Sequence, residues 1–185
     1  MSTHNITGRG SDVHVTEQNA RDQNRIIFGE DSFVFNKGNN LAYEVVSSNE
    51  IDINTGFIMM QGDLIEVESR EKLTIDNGTQ GNYRNDLIVC RYSKDSSTGV
   101  ETASLEVIKG TPSSTSASDP SYNDGAIDTD LVVDFPLYRV CLNSLNITSV
   151  VQLYTLLDIG HNVLVVDSLP STLGPDGTVY LVKES

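Results

Sequence analysis

The stretch that most constrains the fold of this 185-residue chain runs from Ile75 to Gly110. It contains two runs rich in β-branched and aromatic residues, Asp86–Tyr92 and Thr102–Lys109, on either side of a polar turn segment. This arrangement is typical of a β-hairpin. Gly99 closes the turn segment and can adopt the positive φ that other residues resist. Both faces of the first run are largely apolar, whereas the second run is closer to having one buried face.

Short candidate strands separated by turn residues lie on both sides of this hairpin. They are residues 32–36, 41–46, 51–53, 57–61, 64–68, 73–75, 131–133 and 135–142. Many short strands at this spacing predict a mainly β chain, folded as an antiparallel β-sandwich or a barrel-like domain. Pro136, inside the last of these runs, indicates an edge strand or a bulge. Residues 147–157 fit a strand or a helix, and their β-branched content favours a strand.

Both ends of the chain differ from this strand-rich centre. Residues 1–13 are polar and are predicted to form an N-terminal arm. Thr16 is a candidate N-cap for one short N-terminal helix, Glu17–Arg25. This helix is polar on most sides and is expected to lie at the surface or against another subunit. Residues 14–159 are predicted to form a β-rich main domain, and residues 160–185 are predicted to form a small C-terminal β-hairpin element.

The net charge of −14 bears on which partners the chain can have. Such a field repels phosphate backbones and anionic lipid, so neither nucleic acid nor a membrane is an expected partner. No run approaches the ~20 apolar residues that span a bilayer, and no secretory signal is expected at the N-terminus. Cys90 and Cys141 sit in apolar strand-like runs and are expected to be reduced and unpaired.

The sequence contains none of the catalytic motifs GxSxG, P-loop or HExxH. A glycosidase with two catalytic carboxylates would also need an aromatic platform for its sugar. Trp is absent, and the seven tyrosines show no concentrated cluster along the sequence. The chain is therefore predicted not to be an enzyme and to carry no cofactor.

Three groups of polar residues fit either a functional or a structural role. His14 has no second ligand nearby at zinc spacing, so a structural hydrogen bond is favoured over a metal or a catalytic base. Five aspartates crowd residues 119–134, where Asn123-Asp124-Gly125 faintly resembles a calcium loop. EF-hand spacing is missing, so a solvated acidic loop is favoured and no metal is predicted. Arg84 and Asp86 fit an interface clasp or a local Arg–Asp turn lock, and the lock is favoured.

Several motifs in a fixed order carry a resemblance to a known family. The segments NGTQG, NYRNDLIVCRY, SKDSSTGVE and SLEVIKGTPS lie within residues 77–113. HVTEQNARDQNRIIFG and FIMMQGDLIEV precede them, and DPSYNDG and DFPLYRVCLNSLN follow them. In this order they resemble a family of bacteriophage and prophage tail-associated structural proteins of Firmicutes-type hosts. The resemblance covers His14 to Leu157. The ending, LP followed by GTVYLV, is similar to an element at the ends of phage fibre and tail-protein domains.

This resemblance implies a non-enzymatic virion protein, found in the tail and, during assembly, in the host cytoplasm. It would act by protein–protein assembly in the tail tip, baseplate or fibre attachment, with other virion proteins and as a homo-oligomer, most commonly a trimer. Two alternatives stay open. One is a host-surface module whose loops, such as Thr111–Gly125, contact cell-wall saccharide; the other is a head-decoration or head-fibre protein. The candidate interface residues are His14, Thr16, Arg84 and Asp86.

Overall fold

A computed structural model describes residues 15–158, 163–166, 168 and 179–182. The described part of the chain is mainly β with one helix, which confirms the predicted class. Its elements in chain order are α1 (Glu17–Phe28), β1 (Phe33–Phe35), β2 (Tyr43–Ser47), β3 (Glu50–Ile53), β4 (Gly56–Met60), β5 (Asp63–Val67), β6 (Glu71–Thr74), β7 (Tyr83–Lys94), β8 (Glu101–Ile108), β9 (Val132–Asn143), β10 (Asn146–Gln152), β11 (Leu156–Leu157), β12 (Val163–Val166) and β13 (Val179–Val182). In the described part of the chain the one helix, α1, is too short and too polar to cross a membrane.

The strands form several small sheets that pack together, and the sheets built by the described residues do not close into a barrel. One sheet has the order β11-β1-β4-β5, the second β10-β9-β7-β8 and the third β2-β3-β6, while β12 pairs with β13. All pairs in the first three sheets are antiparallel except β1 with β11. The sandwich-like alternative of the sequence prediction is therefore the one that fits the structure.

The hairpin predicted from the sequence is the β7–β8 pair. β7 extends beyond the predicted run Asp86–Tyr92 by three residues at its start and by two at its end. The Asp95 carboxylate accepts hydrogen bonds from the backbone amides of Ser97 (3.0 Å) and Thr98 (2.7 Å) and so fixes the turn. Gly99 has φ +74°, which a residue with a side chain rarely adopts. β7 pairs with β9 on its other side, so this strand lies in the interior of its sheet.

Pro136 marks a bulge and not an edge. β9 lies between β10 and β7, so an edge position is wrong. Ile88 pairs with Tyr138 while Val89 pairs with Pro136, which leaves Leu137 as an extra residue in β9. A bulge interrupts the ladder locally, so it accommodates a residue that has no N–H to donate. The side chain of the extra residue is fully buried in the core.

Two apolar clusters hold the sheets together. The main core draws on β1, β3, β4, β7 and β9 and includes the fully buried Val34, Ile51, Ile58, Ile88 and Val140. A smaller cluster of Phe33, Phe35 and Met59 lies beside it, and Phe28 from α1 packs against it. The helix end is therefore anchored to the first sheet by aromatic contacts. The 147–157 segment forms β10 and β11, as its β-branched content predicted.

The two C-terminal strands run parallel, with Val163 opposite Val179 and Val166 opposite Val182. The predicted C-terminal β-hairpin is therefore wrong. A tight turn joins antiparallel strands only, because parallel partners require the chain to cross back over the length of the strand. The predicted N-terminal arm, residues 1–13, lies outside the described residues.

Candidate interaction surfaces

Arg84 and Asp86 form a buried ion pair at the start of β7, with exposed fractions of 2% and 0%. Arg84 Nε and Nη2 donate to the two carboxylate oxygens of Asp86, each at 2.7 Å. The same guanidinium donates to the backbone carbonyls of Asp76 (2.5 Å) and Asn77 (3.1 Å), and the Gly110 amide donates to Asp86 (2.8 Å). This geometry is that of the lock alternative. Both groups are turned inward, where a partner does not reach them.

Thr16 caps α1 as predicted. Its hydroxyl accepts from the Asn19 amide at 3.1 Å, and the Asn19 side chain accepts from the Thr16 amide at 3.2 Å. Such a reciprocal box satisfies two helix N–H groups that would otherwise lack partners. The helix runs three residues beyond the predicted end and stops at Gly29, which has φ +88°. The role of Thr16 seen here is local; His14 lies outside the described residues.

The aspartates of the 119–134 region are mostly structural. Asp119 pairs with Arg139 and also accepts from Asn85 at 2.8 Å. The fully buried Asp134 carboxylate pairs with Arg91 at 2.7 Å and accepts from the Asn123 amide at 3.0 Å. The expectation of a solvated acidic loop is wrong for Asp134, which is buried and held by Arg91 on β7. The other four aspartates of this region are exposed, and Asp119 is paired with Arg139 on β9. Within the described part of the chain, no three His, Cys, Asp or Glu side chains are grouped so as to hold a metal ion.

Helix α1 docks on the sheets through polar groups. Arg21, only 3% exposed, donates to both carboxylate oxygens of Glu101 on β8, at 2.7 and 3.3 Å. Arg25 donates to the Gln61 carbonyl at 2.7 Å and pairs with Asp128 at 2.7 Å. Asn24 donates to the carbonyl of the next residue in that turn, Gly62, at 2.8 Å. The helix lies at the surface, as expected, and these ion pairs and hydrogen bonds hold it on its own domain.

Gly62 permits this close approach. It has φ +92°, and a Cβ at this position would lie 2.7 Å from the Arg21 carbonyl oxygen and 2.8 Å from Arg25 Cγ. Any side chain would push α1 away from the β4–β5 turn. Glycine is therefore required here both by its backbone conformation and by the space.

The charge pairs under α1 make its docking sensitive to acid. The Arg21 hydrogen bond lowers the pKa of Glu101 from 4.5 to about 2, and the Arg25 hydrogen bond lowers the pKa of Asp128. A lowered folded-state pKa contributes stability above the unfolded value that is lost as the pH falls towards the folded value. Burial raises the pKa of Asp63, also near Arg21, so that this carboxyl acts in the opposite direction.

The large shift among these carboxyls is that of Glu101, and the shift of Asp128 has the same sign, so we expect α1 to detach progressively between about pH 4.5 and pH 2. The measurement is hydrogen exchange at the α1 amides over this range, with the β7 amides as the internal reference. In Glu101→Gln the Arg21 partner no longer titrates, so the remaining pH dependence should be smaller. Protection of α1 that is unchanged down to pH 2 would contradict the expectation.

A groove lined by aromatic residues lies beside the end of α1. The rings of Phe28, Phe33 and Phe35 meet edge to face, with centroids 5.1–6.3 Å apart. The groove has a volume of about 250 Å³ and is lined by Asn24, Phe28, Phe35, Lys37, Phe57, Met59 and Leu64. Lys37 Nζ lies 4.8 Å from the centre of the Phe57 ring. The groove is therefore lined mainly by apolar side chains, and Lys37 is the one cation that lines it.

A second cleft contains a tyrosine cluster that the sequence had not indicated. Tyr138 contacts Tyr43 and Tyr154 edge to face, with centroid distances of 5.2 and 5.5 Å. The hydroxyls of Tyr138 and Tyr154 lie 2.9 Å apart, and they donate to the Leu41 and Asn40 carbonyls at 3.0 and 2.8 Å. Tyr138 is buried, and burial raises the pKa of its hydroxyl.

This tyrosine cleft has a volume of about 280 Å³ and is formed by three different sheets. It is lined by Asn39, Asn40, Ala42, Tyr43, Tyr138, Gln152, Tyr154 and Leu156. Tyr43 lies about a hundred positions before Tyr138 and Tyr154 in the sequence, so no local pattern could have revealed the cluster. The hydroxyls hold Asn40 and Leu41 in the left-handed region, at φ +54° and +57°. The loop that forms one wall is therefore fixed by the core.

Both cysteines are free thiols on neighbouring strands. Cys90 pairs with Phe135 and Cys141 with Asn85, so the ladder keeps the two thiols several residues apart. Burial raises the pKa of Cys90 to about 12, whereas Cys141 is only partly buried. Because the thiolate is the reactive form, Cys90 should react slowly in the folded protein.

We expect iodoacetamide at pH 8 to modify Cys141 at least about tenfold faster than Cys90 in the native protein. In denaturant without reductant both thiols should react. Intact mass and peptide mapping measure both rates. Failure of both thiols to react in denaturant would contradict the prediction that they are unpaired.

No protein-family model matches this chain, and no curated protein is significantly similar to it. The predictions that the chain is not an enzyme and carries no cofactor stay predictions.

Proposed function

We propose that this chain is a non-enzymatic phage virion protein of the tail tip, baseplate or fibre attachment, which acts by protein–protein assembly. The observation that carries this proposal is the orientation of α1. Its buried residue is an arginine, while Ile26 and Ile27 are 86% and 60% exposed. A helix with its polar face inward leaves apolar side chains in water, and an apolar patch on a folded surface is typical of a binding site for another protein.

The surroundings of α1 support this proposal. Phe28 follows the two isoleucines and lines the aromatic groove, so apolar surface continues from the helix onto the first sheet. The helix itself is held by the Glu101 and Asp128 ion pairs. A partner would therefore meet a preorganised surface, which lowers the entropy cost of association. The motif resemblance favours a virion structural protein as this partner.

Incorporation into phage particles tests the proposal. Particles assembled in cells expressing the wild-type chain should contain it, as measured by mass spectrometry of gradient-purified particles. The double variant Ile26→Asp/Ile27→Asp should reduce incorporation at least about tenfold, because two charges would have to be desolvated in the contact. The matched control is Ser96→Asp/Ser121→Asp, which adds the same charge at exposed loop positions and should incorporate like the wild type. Absence of the wild-type chain from the particles would contradict the proposal.

We further expect a closed homo-oligomer, and a trimer in particular. Closed symmetry ends the growth of contacts between copies. The charge of −14 per chain opposes association, so the oligomer should tighten as salt screens the repulsion. Light scattering after size exclusion, at low and physiological ionic strength, measures this mass. A monomer at both ionic strengths would contradict the expectation.

The contribution of the N-terminal arm can be separated from that of α1. A deletion that ends at residue 14 leaves the helix and its Arg21 and Arg25 contacts in place. Weakening of the oligomer by this deletion would assign the arm to the contact. An unchanged mass would show that the arm is not part of it.

A further inference from the structure

The edges of β2, β10 and β11 meet at one place on the molecule. Tyr43 from β2, Gln152 from β10 and Leu156 from β11 all line the tyrosine cleft. Each of these strands is the last of a different sheet. In addition, the Tyr43 hydroxyl lies 3.5 Å from the Val150 carbonyl oxygen, so β2 touches β10 directly. In the described part of the chain, three strand edges therefore come together at this cleft, and no further strand pairs with them there.

These three edges differ in charge from the others. The opposite edges of the same sheets carry ionisable side chains: Asp63 and Glu66 on β5, Glu71 and Lys72 on β6, and Glu101 and Glu106 on β8. Residues 146–152 and 156–157 contain none. The single charge on β2, Glu44, is held at 2.6 Å by Arg70, which also pairs with Asp52 on β3. Proteins use charged side chains, especially lysine, to protect sheet edges against pairing with another strand. β10 and β11 carry no such charge, and β2 carries only the paired Glu44.

The same surface carries exposed apolar side chains. Tyr43, Val45, Val151, Leu153 and Leu156 are each between 37% and 44% exposed. Tyr43 and Val45 alternate along β2 and lie on one face of it, because the register shift of this strand comes after Val45. Burial of such side chains would remove apolar area from water at roughly 25 cal/mol per Å². The backbone edges and the apolar side chains would thus be covered by the same contact.

We infer that the surface formed by the edges of β2, β10 and β11 is the contact between copies of this chain. The charge distribution selects this occupant. Two chains of net charge −14 repel each other, and this neutral surface is where they approach with the least electrostatic cost. A strand edge of one copy then supplies the hydrogen-bond partners that the other lacks, as in β-strand addition. This inference rests on the homo-oligomeric assembly proposed above and names the surface that it uses.

The test is the variant Val45→Lys/Val151→Lys, which places the missing edge charges on β2 and β10. The dissociation constant of the oligomer should rise at least about a hundredfold. The contact would have to desolvate two lysines per copy or bring lysines of two copies close together. The matched control is Val100→Lys/Leu131→Lys, at exposed apolar positions near the β7–β8 turn. Both variants change the net charge from −14 to −12, which weakens the general repulsion. Loss of the oligomer in the edge variant alone would therefore show that the strand edges form the contact.

The outcomes separate this inference from the assembly that it rests on. An oligomer lost in the edge variant and kept in the control supports it. An oligomer kept in both variants overturns the edge contact but leaves assembly intact, whereas a monomeric wild type overturns both. A monomeric wild type whose Tyr43 and Gln152 NMR signals shift on adding neutral chitotriose would assign the cleft to a saccharide instead.

Hydrogen exchange of the wild-type protein keeps the inference testable if the edge variant does not fold. Amides of residues 43–47 and 146–152 should be protected at high protein concentration and lose that protection on dilution. Protection at these strands that is independent of concentration would overturn the inference.

Discussion

Replacing Asp86 with alanine is expected to lower the free energy of unfolding by about 3–5 kcal/mol. The change leaves the Arg84 guanidinium buried without its counter-charge and removes the acceptor of the Gly110 amide. Both groups would lose partners inside the protein, where water does not replace them. A domain of this size has a total stability of only about 5–15 kcal/mol, so the variant should be largely destabilised. Urea unfolding followed by circular dichroism measures the difference.

The exposed pair of Lys72 and Glu50 provides the control for this prediction. Its two atoms lie 3.0 Å apart, and the Lys72 side chain is 64% exposed. Lys72→Ala should change stability by less than about 1 kcal/mol, because water solvates both charges once the pair is broken. If Asp86→Ala behaved like this control, the structural lock at the start of β7 would not be what holds that segment.

Replacing Ile88 with alanine is expected to cost about 2–5 kcal/mol. Ile88 is fully buried in the main core and lies on the interior strand β7, opposite Tyr138 and next to the bulge. Paired strands on both sides of β7 restrict how far the backbone can move to fill the cavity, so the loss should lie well above that of a surface change. Denaturant midpoints at an unchanged m-value report this difference.

Ile26→Ala is the matched control, since it removes the same atoms from a side chain that is 86% exposed. Its stability should stay within about 0.5 kcal/mol of the wild type. The same variant remains useful in the particle assay, because a folded chain that incorporates poorly has lost a contact and not its fold. A stability loss equal to that of Ile88→Ala would show that α1 is packed differently from the structure described above.

Local patterns were sufficient for the elements that are stabilised locally. The β7–β8 hairpin was predictable because Gly99 and the Asp95 turn are specified by neighbouring residues. The N-cap at Thr16 was predictable for the same reason, since its partner Asn19 is three residues away. The helix end was placed three residues early because Phe28 is held by aromatic contacts with Phe33 and Phe35, which a helix pattern does not contain.

The sequence by itself determined the class, the order of the short strands and the polar character of α1, because alternation, turn residues and capping act over a few residues. The tertiary structure alone decided that Arg84 and Asp86 form a buried pair, and it buried Arg21 of α1 while leaving Ile26 and Ile27 exposed. It also brought Tyr43, Tyr138 and Tyr154 together and made the C-terminal pair parallel. The reason is physical: contacts between distant residues depend on how the sheets pack against one another, and strand periodicity specifies which face is apolar without specifying what covers it.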